Sequence, residues 1–160
     1  ITVAKGIAGG MPLSGVVGRA EIMDASHAGG LGGTFGGSPT ATAAGVAVLE
    51  QIEEGGWLER ALEIETVLVS RLSELKNQHP VIGDLRGKGA MIAIELVEPG
   101  TKTPNSAAVD ALIKHCHQNG VLILNAGTYN NVIRFLPPLA ITDELLNDAM
   151  DVLAAGLAKL

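Results

Sequence analysis

Three positions in this 160-residue sequence combine a reactive side chain with an unusual setting. Lys5 follows residues 1–4, a short apolar run with β-branched members that predicts a buried strand. Gly6, Gly9 and Gly10 come next, a side-chain-poor turn that lets backbone approach a ligand closely, before Pro12 and a second strand at Val16 and Val17. A primary amine at a strand end in a glycine-lined pocket is placed to form a Schiff base. Desolvation disfavours the charged form of such a lysine, and the neutral amine attacks an aldehyde. A solvated strand-end lysine is the plainer alternative.

Thr34 lies in the densest glycine run, GGLGGTFGG at residues 29–37. Successive backbone N–H groups around Gly33, with one hydroxyl, can bind a phosphate; a surface turn is the alternative. Arg134 interrupts an otherwise apolar strand in NVIRFLPPL, residues 131–139. Arginine is almost never buried unless paired, so it either meets a structural acid or offers a two-pronged clamp to a substrate carboxylate. His115 and His117 flank Cys116, but residues two apart on a helix do not face each other, so they are read as surface or packing residues.

The elements that must hold these groups alternate between strand and helix. Ser38 and Pro39 open a helix that runs to about Glu53, with Val46, Leu49 and Ile52 as its larger apolar residues. A longer helix carries Leu58, Leu62, Leu68, Leu72 and Leu75 on one face and stops at Pro80. Strands are expected over residues 81–85 and 90–97, around a tight turn at Arg86-Gly87-Lys88-Gly89. Asn105 or Ser106 caps a helix to about Gln118, closed by Gly120. Strands over 121–124 and 132–136 follow, and then a helix capped by Thr142 with Asp143 and Glu144 in its first turn.

Composition narrows the class. Apolar residues make up 47% of the chain and aromatics 2%, so the core must be aliphatic. The net charge of −6 argues against nucleic acid or an anionic membrane surface as partner. No apolar run is long enough to span a membrane. One cysteine allows no internal disulfide and suggests a reducing compartment, hence a cytoplasmic protein. A dinucleotide fold would need G-x-G-x-x-G between strand and helix, and neither GIAGG nor GGLGG has that spacing.

The stretch AKGIAGGMPLSG, with GGTFGG, RGKGAM and NVIRFLPPL, resembles the class III (ω-) aminotransferases along the whole chain. The resemblance implies pyridoxal 5′-phosphate as cofactor, carried by Lys5. It implies that Gly33 and Thr34 reach the cofactor phosphate of a partner subunit, so that the intact enzyme is a homodimer or higher oligomer. It implies that Arg134 binds the α-carboxylate of the amino or keto acid substrate. The wording GGLGGTFGGSP and AGTYNNVIRFLPPL stands nearer the 4-aminobutyrate branch than the ornithine and acetylornithine branches. The expected reaction is therefore transfer of the amino group of 4-aminobutyrate to 2-oxoglutarate.

The implied fold is α/β: the end of a large, mixed-sheet cofactor-binding domain over residues 1–62, then a small α/β C-terminal domain over 63–160. Family members are more than twice as long, so the chain is expected to be a piece lacking an N-terminal part. That part would hold the phosphate loop, the ring-stacking aromatic and the acid facing the pyridine nitrogen. A piece that only packs or dimerises is the competing expectation.

Overall fold

The computed structural model describes all 160 residues, which fall into two compact units, Ile1–Trp57 and Leu58–Leu160. The division lies slightly before the 62/63 boundary expected from sequence, near the start of the same helix.

The first unit is built on close approach rather than bulk. β1 (Thr2–Val3) pairs antiparallel with β2 (Gly15–Val16). Between them Lys5–Ala8 forms a single 3-10 turn. A short helix, α1 (Ala20–Met23), precedes the glycine run, and α2 (Pro39–Glu54) follows it. α2 begins as expected, with Ser38 before a proline in the first helical turn. Its buried face is Ala41 and Gly45, however, while Val46, Leu49 and Ile52 stay exposed. The reason is steric: a Cβ at Gly45 would come within 2.8 Å of the Leu13 side chain, so only the small-residue face admits this contact. Residues 1–4 do not form the buried strand expected. Thr2 and Val3 pair with Val16 and Gly15, and Ile1 exchanges backbone hydrogen bonds with Val17, yet Ile1 is 85% exposed, because the ribbon has β2 as its one neighbour in this chain.

The second unit owns an ordinary aliphatic core. α3 (Trp57–Gln78), which opens on the chain's one tryptophan, leads into β3 (Ile82–Lys88) and β4 (Met91–Leu96). α4 (Ser106–Gln118), β5 (Asn125–Ala126), β6 (Val132–Phe135) and α5 (Asp143–Leu157) complete it. The strands form one antiparallel sheet in the order β3-β4-β6-β5. Alternation places Ile92, Ile94 and Leu96 on the inner face, beside Ile133 and Phe135. Leu68, Leu72 and Leu75 of α3, Val109, Leu112 and Cys116 of α4, and Leu146, Met150, Leu153 and Leu157 of α5 join them in the core.

The helix ends are capped where the sequence places the capping residues. Asn105 accepts a hydrogen bond from the Ala108 N–H at 2.8 Å, and Thr142 accepts one from Leu145 at 3.2 Å. Two expectations change. β3 runs on through Arg86-Gly87-Lys88, and the reversal falls at Gly89 and Ala90. Gly87 is in the ladder at φ +150°, where a Cβ would meet the Met91 carbonyl oxygen at 2.2 Å. Residues 121–124 are not a strand, since no neighbour pairs with them; pairing starts at Asn125.

Candidate functional site

Lys5 opens the 3-10 turn with φ +61°, one of two non-glycine residues in the left-handed region. Such a conformation costs on the order of 1–3 kcal/mol and persists only where its surroundings impose it. Here they do. Ala4 on one side is fully extended, and Ile7 N–H reaches back to the Ala4 carbonyl at 3.4 Å. On the other side Gly9 N–H bonds to Gly6 and Met11 N–H to Ala8. Ala8 is buried, and the carbonyl of Ile7 lies 3.6 Å from where a Gly45 Cβ would stand. α2 thus clamps the turn that carries the lysine. The pocket expected around Lys5 is not closed within this unit: its side chain is exposed, because no residue of the unit packs over it.

Thr34 and Gly33 line a groove of about 970 Å³, between β1 (through Ala4), residues 12–16 and residues 31–37. The N–H groups of Gly33 and Thr34 donate to no backbone carbonyl, and the Thr34 hydroxyl has no partner. A Cβ at Gly33 would meet nothing within 4 Å, so the space beside the loop is open. Two free N–H groups, one hydroxyl and open approach suit a phosphate ester, and an exposed primary amine suits an aldehyde; the donor set fits pyridoxal phosphate. Lys5 is not among the residues lining the groove, so the structure does not bring Lys5 and Thr34 to one cavity.

Arg134 lies in the second unit, on the outer face of β6, exposed between the buried Ile133 and Phe135. It makes no ion pair and no side-chain hydrogen bond with any residue of this chain. Arg86 on β3 is its opposite. It donates to Asp84 at 2.6 Å and to Glu95 at 2.8 Å. Those hydrogen bonds hold the Asp84 carboxyl below the usual range, chiefly through Arg86, and raise Arg86 itself, chiefly through Asp84 and then Glu95. Arg86 is therefore already neutralised, whereas Arg134 has no acidic partner within this chain.

Sequence reasoning missed two polar contacts of this unit. Asn131 is the one buried polar residue, and its amide donates to the Leu96 carbonyl at 3.0 Å and to Glu95 at 3.4 Å. Glu65 on α3 accepts from Gly89 N–H at 2.7 Å and pairs with Lys88, and these contacts, Gly89 first, keep its carboxyl below the ordinary 4.5. The signal for Arg86 was its place two residues after Asp84, which on a strand is the same face. His117 Nε2 lies 2.9 Å from the Ile123 carbonyl, and His115 Nδ1 lies 3.3 Å from Lys159 Nζ. Cys116 between them is buried, which pushes its thiol up to about 11.

The sequence pattern of the family "Aminotransferase class-III" matches residues 1–157. The chain belongs to the class III aminotransferases. It is 52% identical over all its length to a 4-aminobutyrate aminotransferase of Mycobacterium tuberculosis (strain H37Rv), covering 36% of that protein. It is 46% identical, over 99% of its length, to a 5-aminovalerate aminotransferase of Pseudomonas putida, covering 37% of it. The chain thus spans little more than a third of the curated relatives it matches. Among solved structures, a Bacillus anthracis aminotransferase superposes with TM-score 0.87 at 32% identity, over the whole of this chain and 38% of its own. A phospholyase from Arthrobacter superposes with TM-score 0.88 at 30% identity, over 99% of this chain and 38% of its own. This class III aminotransferase chain therefore has the mixed α/β fold expected of it, as part of a longer fold.

Proposed function

We propose that the chain is the part of a pyridoxal-phosphate-dependent ω-amino acid aminotransferase that supplies the cofactor lysine, one phosphate contact and the substrate carboxylate clamp. The observation that carries this reading is Lys5, a lysine held left-handed on a turn clamped by a helix. When bound, the cofactor supplies an electron sink for charge developing at the substrate carbon. Lys5 supplies the amine that attaches it and, once released, a base within reach of that carbon's proton. Gly33 and Thr34 bind phosphate oxygens through N–H and O–H groups. Arg134 orients the substrate by its carboxylate with two parallel hydrogen bonds.

Thr34 is read as serving a second subunit's site, in keeping with its lying outside any cavity shared with Lys5, and the working enzyme as a homodimer or larger. The remaining phosphate, ring-stacking and ring-nitrogen contacts come from an N-terminal part of the longer protein. The chain alone neither transaminates nor holds the cofactor tightly. The preferred reaction is 4-aminobutyrate with 2-oxoglutarate, giving succinate semialdehyde and glutamate. No helix is long and apolar enough to cross a membrane. The single unpaired cysteine supports a cytoplasmic setting for the enzyme.

The deciding experiment is borohydride reduction of the full-length holoprotein followed by peptide mapping. A pyridoxyl label on Lys5 is the expected result; label on another lysine refutes the assignment. A second donor is favoured by the 46% identity to the 5-aminovalerate enzyme. The two donors differ by one methylene, a difference pockets resolve by only about 1–3 kcal/mol. The ratio of kcat/KM for 4-aminobutyrate and 5-aminovalerate decides between them, and ornithine and acetylornithine belong in the same panel.

A further inference from the structure

The pairing of β4 with its two neighbours puts Arg86 and Arg134 on either side of Ala93 in one row across the sheet. In the next row Glu95 stands between Asp84 and Val132. Paired residues share a face, so Glu95 is the diagonal neighbour of both arginines, a separation that long side chains bridge. It pairs with only one. Its Oε2 accepts from Arg86 at 2.8 Å and its Oε1 from the buried Asn131 amide at 3.4 Å, while Arg134 is left alone. Asp84 also converges on Arg86, at 2.6 Å. The fifth charged group on this face, Lys88, is engaged with Glu65. The sheet thus carries two acids and two arginines within reach of each other, and both acids sit on the same arginine.

We propose that Arg86 is a positioning residue that holds Glu95, with help from Asn131, away from Arg134 and so keeps that guanidinium open to the substrate carboxylate. Without Arg86, Glu95 is the nearest carboxylate able to swing across Ala93 and occupy Arg134 from within the sheet. The substrate must then displace an internal competitor whose effective concentration is high. The inference rests on Arg134 being the carboxylate clamp.

The test uses the full-length holoenzyme and the KM for the 2-oxo acid. Arg86→Met raises that KM about fivefold, the scale of a half-exposed ion pair, with kcat little changed. Arg86→Gln, a gentler change for folding, moves it in the same direction. Adding Glu95→Gln to Arg86→Met returns the KM to near its original value, since a neutral amide no longer competes. A crystal structure of Arg86→Met shows a Glu95 carboxylate oxygen within about 4 Å of the Arg134 guanidinium. An unchanged KM in both Arg86 variants, or a raised one that Glu95→Gln fails to reverse, overturns the proposal. Arg134→Ala run in parallel separates the two levels. If it leaves the KM unmoved, the clamp itself is wrong; if it acts and the Arg86 variants do not, only the positioning role falls.

Discussion

The two units solve different problems with the same alphabet. In Leu58–Leu160 the large aliphatic residues are inside: Ile92, Ile94, Leu112, Ile133 and Leu153 are almost wholly buried. In Ile1–Trp57 the buried apolar residues are Ala8 and Ala41, and Val16, Val17, Ile22, Leu31, Phe35, Val46 and Leu49 lie exposed. One unit is held by bulk and the other by closeness. The one packs large side chains together; the other presses a turn into shape with small residues, and its large apolar groups are exposed in this chain, which spans little more than a third of its relatives' length. What this teaches is that the lysine-bearing region is shaped by close small-residue contacts, where the second unit is filled by large aliphatic side chains.

That contrast can be broken most sharply at Lys5. Lys5→Ala in the full-length enzyme is expected to cut transamination by more than about a thousandfold while leaving the melting temperature of the cofactor-free protein nearly unchanged, since the side chain is not part of the packed core of its unit. A large loss of stability instead would assign Lys5 to the core. Leu153→Ala should do the reverse. It empties a fully enclosed site between helices and sheet and should cost about 2–5 kcal/mol in denaturant unfolding. Intact stability there would mean that α5 is not a core element.

Arg134→Ala sharpens the comparison inside the second unit. Losing a charge-assisted pair is worth about 1.5–3 kcal/mol, so the half-reaction with glutamate or 2-oxoglutarate should weaken roughly ten- to a hundredfold, with cofactor binding unaffected. Equal losses in both would point to a structural role.

The smallest effect is expected at Glu65. Its folded-state carboxyl is held below its ordinary value, so its contribution is present above the unfolded value and is lost as pH falls through the folded one. Glu65→Gln should therefore lower stability at neutral pH and match the wild type in strong acid. Parallel acid-unfolding curves check this, and a constant gap at all pH values would contradict it.

Much of the second unit was legible because its signals are local. Leu68, Leu72 and Leu75 repeat at helical spacing, and Asn105 and Thr142 stand where helix caps are needed, so period and cap chemistry suffice. The positions that misled depend on partners. Residues 121–124 look like a strand, but a strand exists only where another pairs with it. Gly87 reads as a turn, yet it sits in the ladder because the neighbouring backbone passes too close for any Cβ. In the first unit, Val46, Leu49 and Ile52 suggest a buried stripe, while the contact made is through Gly45, which periodicity scores as nothing. The reactive side chains were legible by type; that Arg134 is unpaired and Arg86 doubly paired required the sheet register.

Trp57 has a consequence of its own. The chain carries one tryptophan and one tyrosine, and the tryptophan is half-buried at the first turn of α3, where one unit gives way to the other. Its emission is then a built-in optical gauge of that junction, read without any label. A wavelength shift during unfolding that precedes loss of helical signal would time the fraying of the first turn of α3 apart from the melting of the core.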